Sequence, residues 1–178
     1  MSTSADNKYF RDYQYCAISS DEIENVEKYT PGGYHPVDIG DVISSDEHDY
    51  EVVHKFGYGG FATVWLVRSG AQSTSYHALK ILCADRADYA DPELAIFQHL
   101  KKVAATGHPN VVELYDSFKI TGPNGEHKCL VLPVLGPGLT KLWASTTLSS
   151  AVRRDMCRQV ASATAFLHQH GVCHGGKL

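Results

Sequence analysis

The stretch KFGYGGFATVWLV, residues 55 to 67, decides how the rest of the chain is read. Gly57, Gly59 and Ala62 fit the G-x-G-x-x-G/A pattern of a dinucleotide loop, but that design needs a helix directly after the glycines to turn its N-terminus toward a pyrophosphate. Here the run continues as Thr63-Val64-Trp65-Leu66-Val67, β-branched and aromatic, a poor helix start and a good strand. A Walker-type loop is excluded as well, because no Gly-Lys-Ser/Thr follows. What remains is a glycine-rich β-hairpin, and its neighbours must say whether it is a plain turn or a phosphate cover.

The flanking pattern is that of a strand meander. YEVVHKF (50 to 56), ATVWLVR (62 to 68) and YHALKIL (76 to 82) are three strands, with His77, Leu79 and Ile81 alternating against Ala78, Lys80 and Leu82. Asp91-Pro92-Glu93 reads as a helix start, with Asp as N-cap and Pro in the first helical position. Leu94, Phe97, Leu100 and Lys101 continue that helix until Gly107-His108-Pro109. NVVELYDSFKI and HKCLVLPVL flank the turn TGPNGE, a further hairpin. From about Ser149 to His170, the residues Val152, Met156, Val160, Ala163 and Leu167 recur at helical spacing on one face. The order β-β-β-α-β-β-α predicts an α+β fold.

Lys80 gives the hairpin its context. Glycine-rich backbone N–H groups can drape over phosphates while a lysine on the adjoining strand reaches the α- and β-phosphates, the arrangement found in protein kinases. Ala78 and Leu82 share its face and are apolar, which predicts an inward lysine in need of a partner. Glu93, 13 residues on, is the candidate, although Pro92 places it unusually early in its helix. An acid in a first helical turn also suits the macrodipole without any partner. In the kinase register HPNVVELYDSF (108 to 118) leads into strand four, and KCLVLPVLGPGLTKLW becomes strand five and the hinge. Leu132 is then the gatekeeper, the Pro133 carbonyl faces adenine N6, and Leu135 offers both N–H and C=O. Phe56, Val64, Ala78 and Leu132 form the apolar adenine slot, and Gly57, Tyr58, Gly59, Gly60, Phe61 and Ala62 form the phosphate cover.

With these motifs in place the chain resembles the N-terminal lobe of a protein kinase, and specifically the SR-protein kinase family, most of all its fungal members. The lead-in DEIENVEKYTPGGYHPVDIGDVI, the loop GYGGFATVWLV and the hinge VLGPGLTKL carry the resemblance over about residues 21 to 175. Phe56 departs from it, replacing the usual aliphatic residue. The resemblance implies a five-stranded antiparallel sheet with one helix, a hinge, and the first helices of a second lobe. It also implies ATP with Mg²⁺ as co-substrate, serine transfer in Arg-Ser-rich splicing factors, and a role in mRNA processing. In the closing HQHGVCHGGKL, His174-Gly175 match the first two places of the family's catalytic loop, and Gly176 stands where the catalytic Asp is expected. A catalytic base and metal ligands are therefore not expected in this chain, which reads as a truncated kinase inactive by itself. A second reading, a non-catalytic pseudokinase-like module that captures nucleotide or a partner, stays open beside it.

Composition bounds these readings. Residues 1 to 49 hold 11 Asp/Glu against 3 Lys/Arg, and the remainder reverses the balance with 9 against 13, for a net charge of −4. That argues against a nucleic-acid binder relying on bulk positive charge. The expected organisation is an acidic, partly disordered extension over 1–49, a nucleotide-binding lobe over 50–135, and a hinge exit with the start of a second lobe over 136–178. Within the extension, YTPGGYHPVDIGD (29 to 41) reads as an extended, turn-rich connector. The five cysteines are widely spread with no CxxC pair, so they are read as reduced thiols. His168, His170, Cys173 and His174 could suggest a metal. However, two histidines at i and i+2 of a helix point roughly 200° apart, and they are read as helix-end residues. No apolar run approaches the roughly 18 residues of a membrane span and the polar N-terminus is no signal peptide. The expectation is a soluble protein of cytoplasm and nucleus, with no membrane partner.

Overall fold

The computed structural model describes residues 24–70, 75–86, 92–104, 106–136, 138 and 148–173. Strands β1 (Val42–Ser44), β2 (Asp49–Tyr58), β3 (Ala62–Ser69) and β4 (Ser75–Leu82) are followed by helix α1 (Pro92–Val103). Strands β5 (Asp116–Gly122) and β6 (Gly125–Pro133) come next, then helix α2 (Ser150–Gln169). All six strands join one antiparallel sheet in the order β1-β2-β3-β4-β6-β5. This is one strand more than expected. Val42, Ile43 and Ser44, inside the segment read as extension, pair with Glu51, Tyr50 and Asp49.

Strand alternation assigns the two faces of the sheet. On one face Tyr50, Val52, Trp65, Val67, Leu79, Ile81, Cys129 and Val131 form a buried cluster, with Leu79 and Cys129 fully enclosed. Burial drives the Cys129 thiol pKa up to about 12, with the nearby Asp116 carboxylate adding to it, so this thiol packs as a small apolar group. Val37 of the lead-in packs against the cluster, as do Phe118 and Ile120 of β5. The connector over 29 to 41 is thus free of regular structure, as expected, yet part of the core: Tyr34 is only 1% exposed.

Its path depends on two glycines. Gly32 has φ +85°, and a Cβ on Gly33 would stand 1.9 Å from the Lys28 carbonyl oxygen. That close reversal lets the Tyr34 N–H donate to the same carbonyl at 2.7 Å. The N–H groups of Ala84 and Asp85 then donate to the Gly33 and Gly32 carbonyls, and the Asn124 amide donates to the Tyr34 carbonyl. The rings of His35 and His127 meet at 4.8 Å.

Helix α1 meets β4 through Glu93 and Lys80, and α2 meets α1 where the His99 ring reaches the His170 carbonyl. In α1, Pro92 sits at the first position and Lys101 and Lys102 in the last turn, where they suit the helix dipole. The Asp91 expected to cap it lies outside the described residues. Ser149 caps α2 by accepting from the Val152 N–H, and Gly171, with φ +74°, closes its other end as the Val172 N–H donates to Leu167.

Candidate nucleotide site

Lys80 faces away from the core because its neighbours cannot. Leu79 and Ile81 are 0% and 1% exposed, so the period of two turns Lys80 to the opposite face. Cross-strand register completes that face: Val64 lies opposite Lys80, Leu66 opposite Ala78, and Ala78 opposite Leu132. Four of the nominated residues, Val64, Ala78, Lys80 and Leu132, therefore share one surface across three strands. Across this surface the Lys80 Nζ reaches the Glu93 Oε2 of α1 at 2.5 Å. The early position of Glu93, second in its helix, does not prevent the contact. With side-chain exposures of 26% and 37% the pair is half solvated, which makes it worth about 1 kcal/mol or less. Its consequence is placement: the ammonium is held above an apolar floor, where a phosphate would find it.

The glycine-rich hairpin borders this face. Gly57 pairs with Val64 and Tyr58 with Thr63, and the register slips between Lys55 and Gly57, a bulge that takes up Phe56. Phe56 is exposed and its ring meets His54 edge-on at 6.4 Å. A Cβ on Gly57 or Gly60 would meet nothing within 4 Å, so the hairpin leaves open space beside its backbone. The loop closes as Gly59 N–H donates to the Ala62 carbonyl at 2.8 Å, and Cys83 N–H donates to the Phe61 carbonyl at 2.9 Å. Ala62 is buried while Phe61 is exposed at the tip. At the far edge, Pro133 ends β6 opposite His77, and Leu135 follows in the exposed segment beyond. Gly176, expected in the catalytic position, and His174 lie outside the described residues.

Two contacts to the hairpin escaped the sequence reading. The Tyr34 hydroxyl donates to the Gly59 carbonyl, and the Lys28 ammonium donates to the Gly60 carbonyl at 3.2 Å. Lys55 extends the same seam: its ammonium binds Glu24 at 2.6 Å and the Tyr29 hydroxyl at 2.8 Å, and sits 4.9 Å from the Trp65 ring centroid. Gly-Gly followed by an aromatic in YTPGGYHP marks the reversal that makes this possible, but nothing local names its target.

An apolar surface crossed by a half-buried lysine–glutamate pair and overhung by a glycine hairpin can take a flat heterocycle with phosphates attached. Comparison with known proteins agrees. The protein kinase domain family matches residues 50–175. The chain is 36% identical over 163 residues to serine/threonine-protein kinase spk-1 of Caenorhabditis elegans, covering 86% of this chain and 16% of that protein. It is 35% identical over 156 residues to serine/threonine-protein kinase SRPK of Physarum polycephalum, covering 83% and 35%. To human SRSF protein kinase 3 it is also 35% identical over 156 residues, covering 83% and 27%. The chain thus spans between about a sixth and about a third of the length of these relatives. It belongs to the protein kinase domain family, and its relatives there are kinases of the SR-protein type.

Proposed function

We propose that the protein containing this chain is a serine/threonine kinase that transfers the γ-phosphoryl group of ATP to serine in Arg-Ser-rich splicing factors, working in cytoplasm and nucleus. The observation that carries the nucleotide part is the Lys80–Glu93 pair on the face formed by Val64, Ala78 and Leu132. The substrate class rests on similarity to kinases named for SRSF proteins. Adenine would lie against Val64, Ala78 and Leu132, with Phe56 at the rim and the backbone of Pro133 and Leu135 reading its edge. Lys80 would place one positive charge on the α- and β-phosphates, with Glu93 fixing the ammonium. Phosphoryl transfer consists largely of positioning and charge neutralisation, so a fixed cation here is a direct contribution. Mg²⁺ is expected to accompany ATP in the whole protein, neutralising the phosphates further. Among the described residues no group of three or more His, Cys, Asp or Glu side chains is arranged to hold a metal, and the chemistry derived for this chain runs through Lys80.

Titrating ATP and adenosine into the wild-type chain and Lys80→Ala by calorimetry tests this. ATP affinity is expected to fall about tenfold or more in the variant, the scale of a charge-assisted contact, while adenosine binding stays nearly unchanged. Equal ATP affinity in the two proteins would take Lys80 out of the site, and with it the register of every other assignment.

A further inference from the structure

We infer that the lead-in segment is a clamp that orients the glycine-rich loop for phosphate binding, with Lys28 and Tyr34 as positioning residues. This rests on the nucleotide site proposed above and adds a part to it. Loops built on Gly57, Gly59 and Gly60 lose much conformational entropy when ordered. Something must hold such a loop if its amides are to be ready for a ligand.

In this structure the hold comes from outside the site. Tyr34, almost completely buried, directs its hydroxyl to the Gly59 carbonyl, and the Lys28 ammonium takes the Gly60 carbonyl at 3.2 Å. Lys28 also lies 3.4 Å from the Tyr34 hydroxyl and 5.4 Å from its ring centroid, so the two anchors support each other. The Tyr34 ring meets Tyr29, whose hydroxyl binds Lys55 over the Trp65 ring, so both anchors come from the face of the sheet that carries Trp65 and Val67 and where Val37 also packs. Lys80 is on the other face.

Peptide planarity turns that placement into function. No peptide in the described residues is cis, so within each planar unit the C=O and the N–H point in opposite directions. Drawing the Gly59 carbonyl toward the lead-in turns the Gly60 N–H toward the Lys80 side. Holding the Gly60 carbonyl fixes the next peptide plane in the same sense. The lead-in therefore presets the backbone donors of the phosphate cover before any ligand arrives, and lowers the ordering cost of binding. Adenine, which lies away from these peptides, gains nothing from the clamp.

The test uses Tyr34→Phe/Lys28→Met, which removes the two donors while keeping the buried ring and most of the lysine stem, and Lys28→Arg, which keeps a donor. Two measurements are made on the full chain. Without ligand, amide exchange at Gly59 and Cys83, the two N–H groups that close the loop, is expected to quicken about fivefold or more in the double variant and to stay near wild type in Lys28→Arg. With ligand, calorimetry is expected to show ATP binding weakened about fivefold to tenfold in the double variant and adenosine binding within about twofold of wild type. Unchanged exchange overturns the clamp, whatever ATP does. Quickened exchange with equal ATP affinity also overturns its role in phosphate binding, and so does a parallel loss of adenosine and ATP, which marks a merely structural contact. Should the wild-type chain bind no ATP while loop exchange responds as expected, the nucleotide reading fails and the clamp on the loop stands.

Discussion

The two sides of this molecule are built from different material. On the sheet side, Val67, Leu79 and Cys129 are fully enclosed, and the lead-in packs there with Tyr34 and Val37. On the helical side neither α1 nor α2 has a single buried residue among those described. Polar contacts and one ring contact, Phe166 against His108 at 5.0 Å, join the helices to each other and to the neighbouring segment there. His108 meets the Ser162 hydroxyl at 3.1 Å, the Asn110 amide donates to Gln159 at 3.0 Å, and the His99 Nε2 donates to the His170 carbonyl at 2.8 Å. Val152 and Val160 of α2 stay 45% and 47% exposed, and a cavity of about 640 Å³ lies between α1, the 106–117 segment and Phe166. Stability in this chain should therefore be concentrated in the sheet, on the face turned away from Lys80. The helices contribute position: α1 supplies Glu93 to that sheet through a contact worth little energy.

Truncating one side chain on each side gives the largest expected contrast. Leu79→Ala removes a fully enclosed side chain from the centre of the cluster and should cost about 3 to 4 kcal/mol, through lost burial and the cavity left behind. Val160→Ala, at a half-exposed position of α2, should cost under about 1 kcal/mol. Urea denaturation followed by circular dichroism reads both. If the α2 substitution proved as costly as the core one, the helices would be holding the fold together and the comparison would collapse.

A smaller effect separates two glycines that look alike in sequence. Gly33→Ala would push a Cβ to 1.9 Å from the Lys28 carbonyl, and backbone cannot step aside as a flexible side chain would. The lead-in must then rearrange, at about 2 kcal/mol, typical of a forced local strain. Gly57→Ala meets nothing within 4 Å and should leave stability within about 0.5 kcal/mol. Thermal melts of the two variants check this, and equal destabilisation would mean that the lead-in is not part of the folded core.

What could be read in the sequence follows the same division. The β2–β3–β4 meander was legible because β-branched residues gather in β2 and β3, and alternation runs along β3 and into β4. The side taken by Lys80 was legible because Leu79 and Ile81 leave it no choice. Helix α2 announced itself through a run of apolar spacings, Val152, Met156, Val160, Ala163 and Leu167. By contrast, β1 has only three residues, and Val42 is 60% exposed, so it presents no alternation to find. The contacts of Tyr34 with Gly59 and Lys28 with Gly60 span 25 and 32 residues. Such pairings depend on how the chain folds back, and neither hydropathy nor turn chemistry encodes them locally. The acidic composition of the first 49 residues also pointed away from a packed role, since charge at Asp38, Asp41 and Glu47 obscures the apolar Tyr34, Val37 and Ile43 beside them.

The smallest effect concerns acid. Burial lowers the pKa of His35, and the adjacent His127 lowers it further while Asp41 opposes. Burial likewise lowers that of His77, with His48 adding to it. Both rings sit on the sheet side, His35 against His127 and His77 against Tyr50 and Tyr115. A depressed pKa on a base means that the folded state holds the ring neutral where the unfolded chain would already bind a proton. The unfolded state thus carries more protons below its ordinary value of about 6.5, and stability rises with pH across that interval. The contribution is complete above about pH 6.5 and is lost as pH falls below it toward the folded-state values. Wild-type melting temperature should therefore drop between pH 7.5 and 5.5, and His35→Asn/His77→Asn should show a shallower drop, because asparagine cannot be protonated there. Differential scanning calorimetry at the two pH values measures the difference of slopes, in which the remaining titratable groups cancel to first order. Charging His35 beside His127 would also press the lead-in away from β6, so the acid-induced loss should appear first as faster amide exchange at Tyr34, whose N–H closes the reversal onto Lys28. Parallel slopes in wild type and variant would show that the sheet side tolerates these protons, and would leave the acid sensitivity of the chain to groups elsewhere.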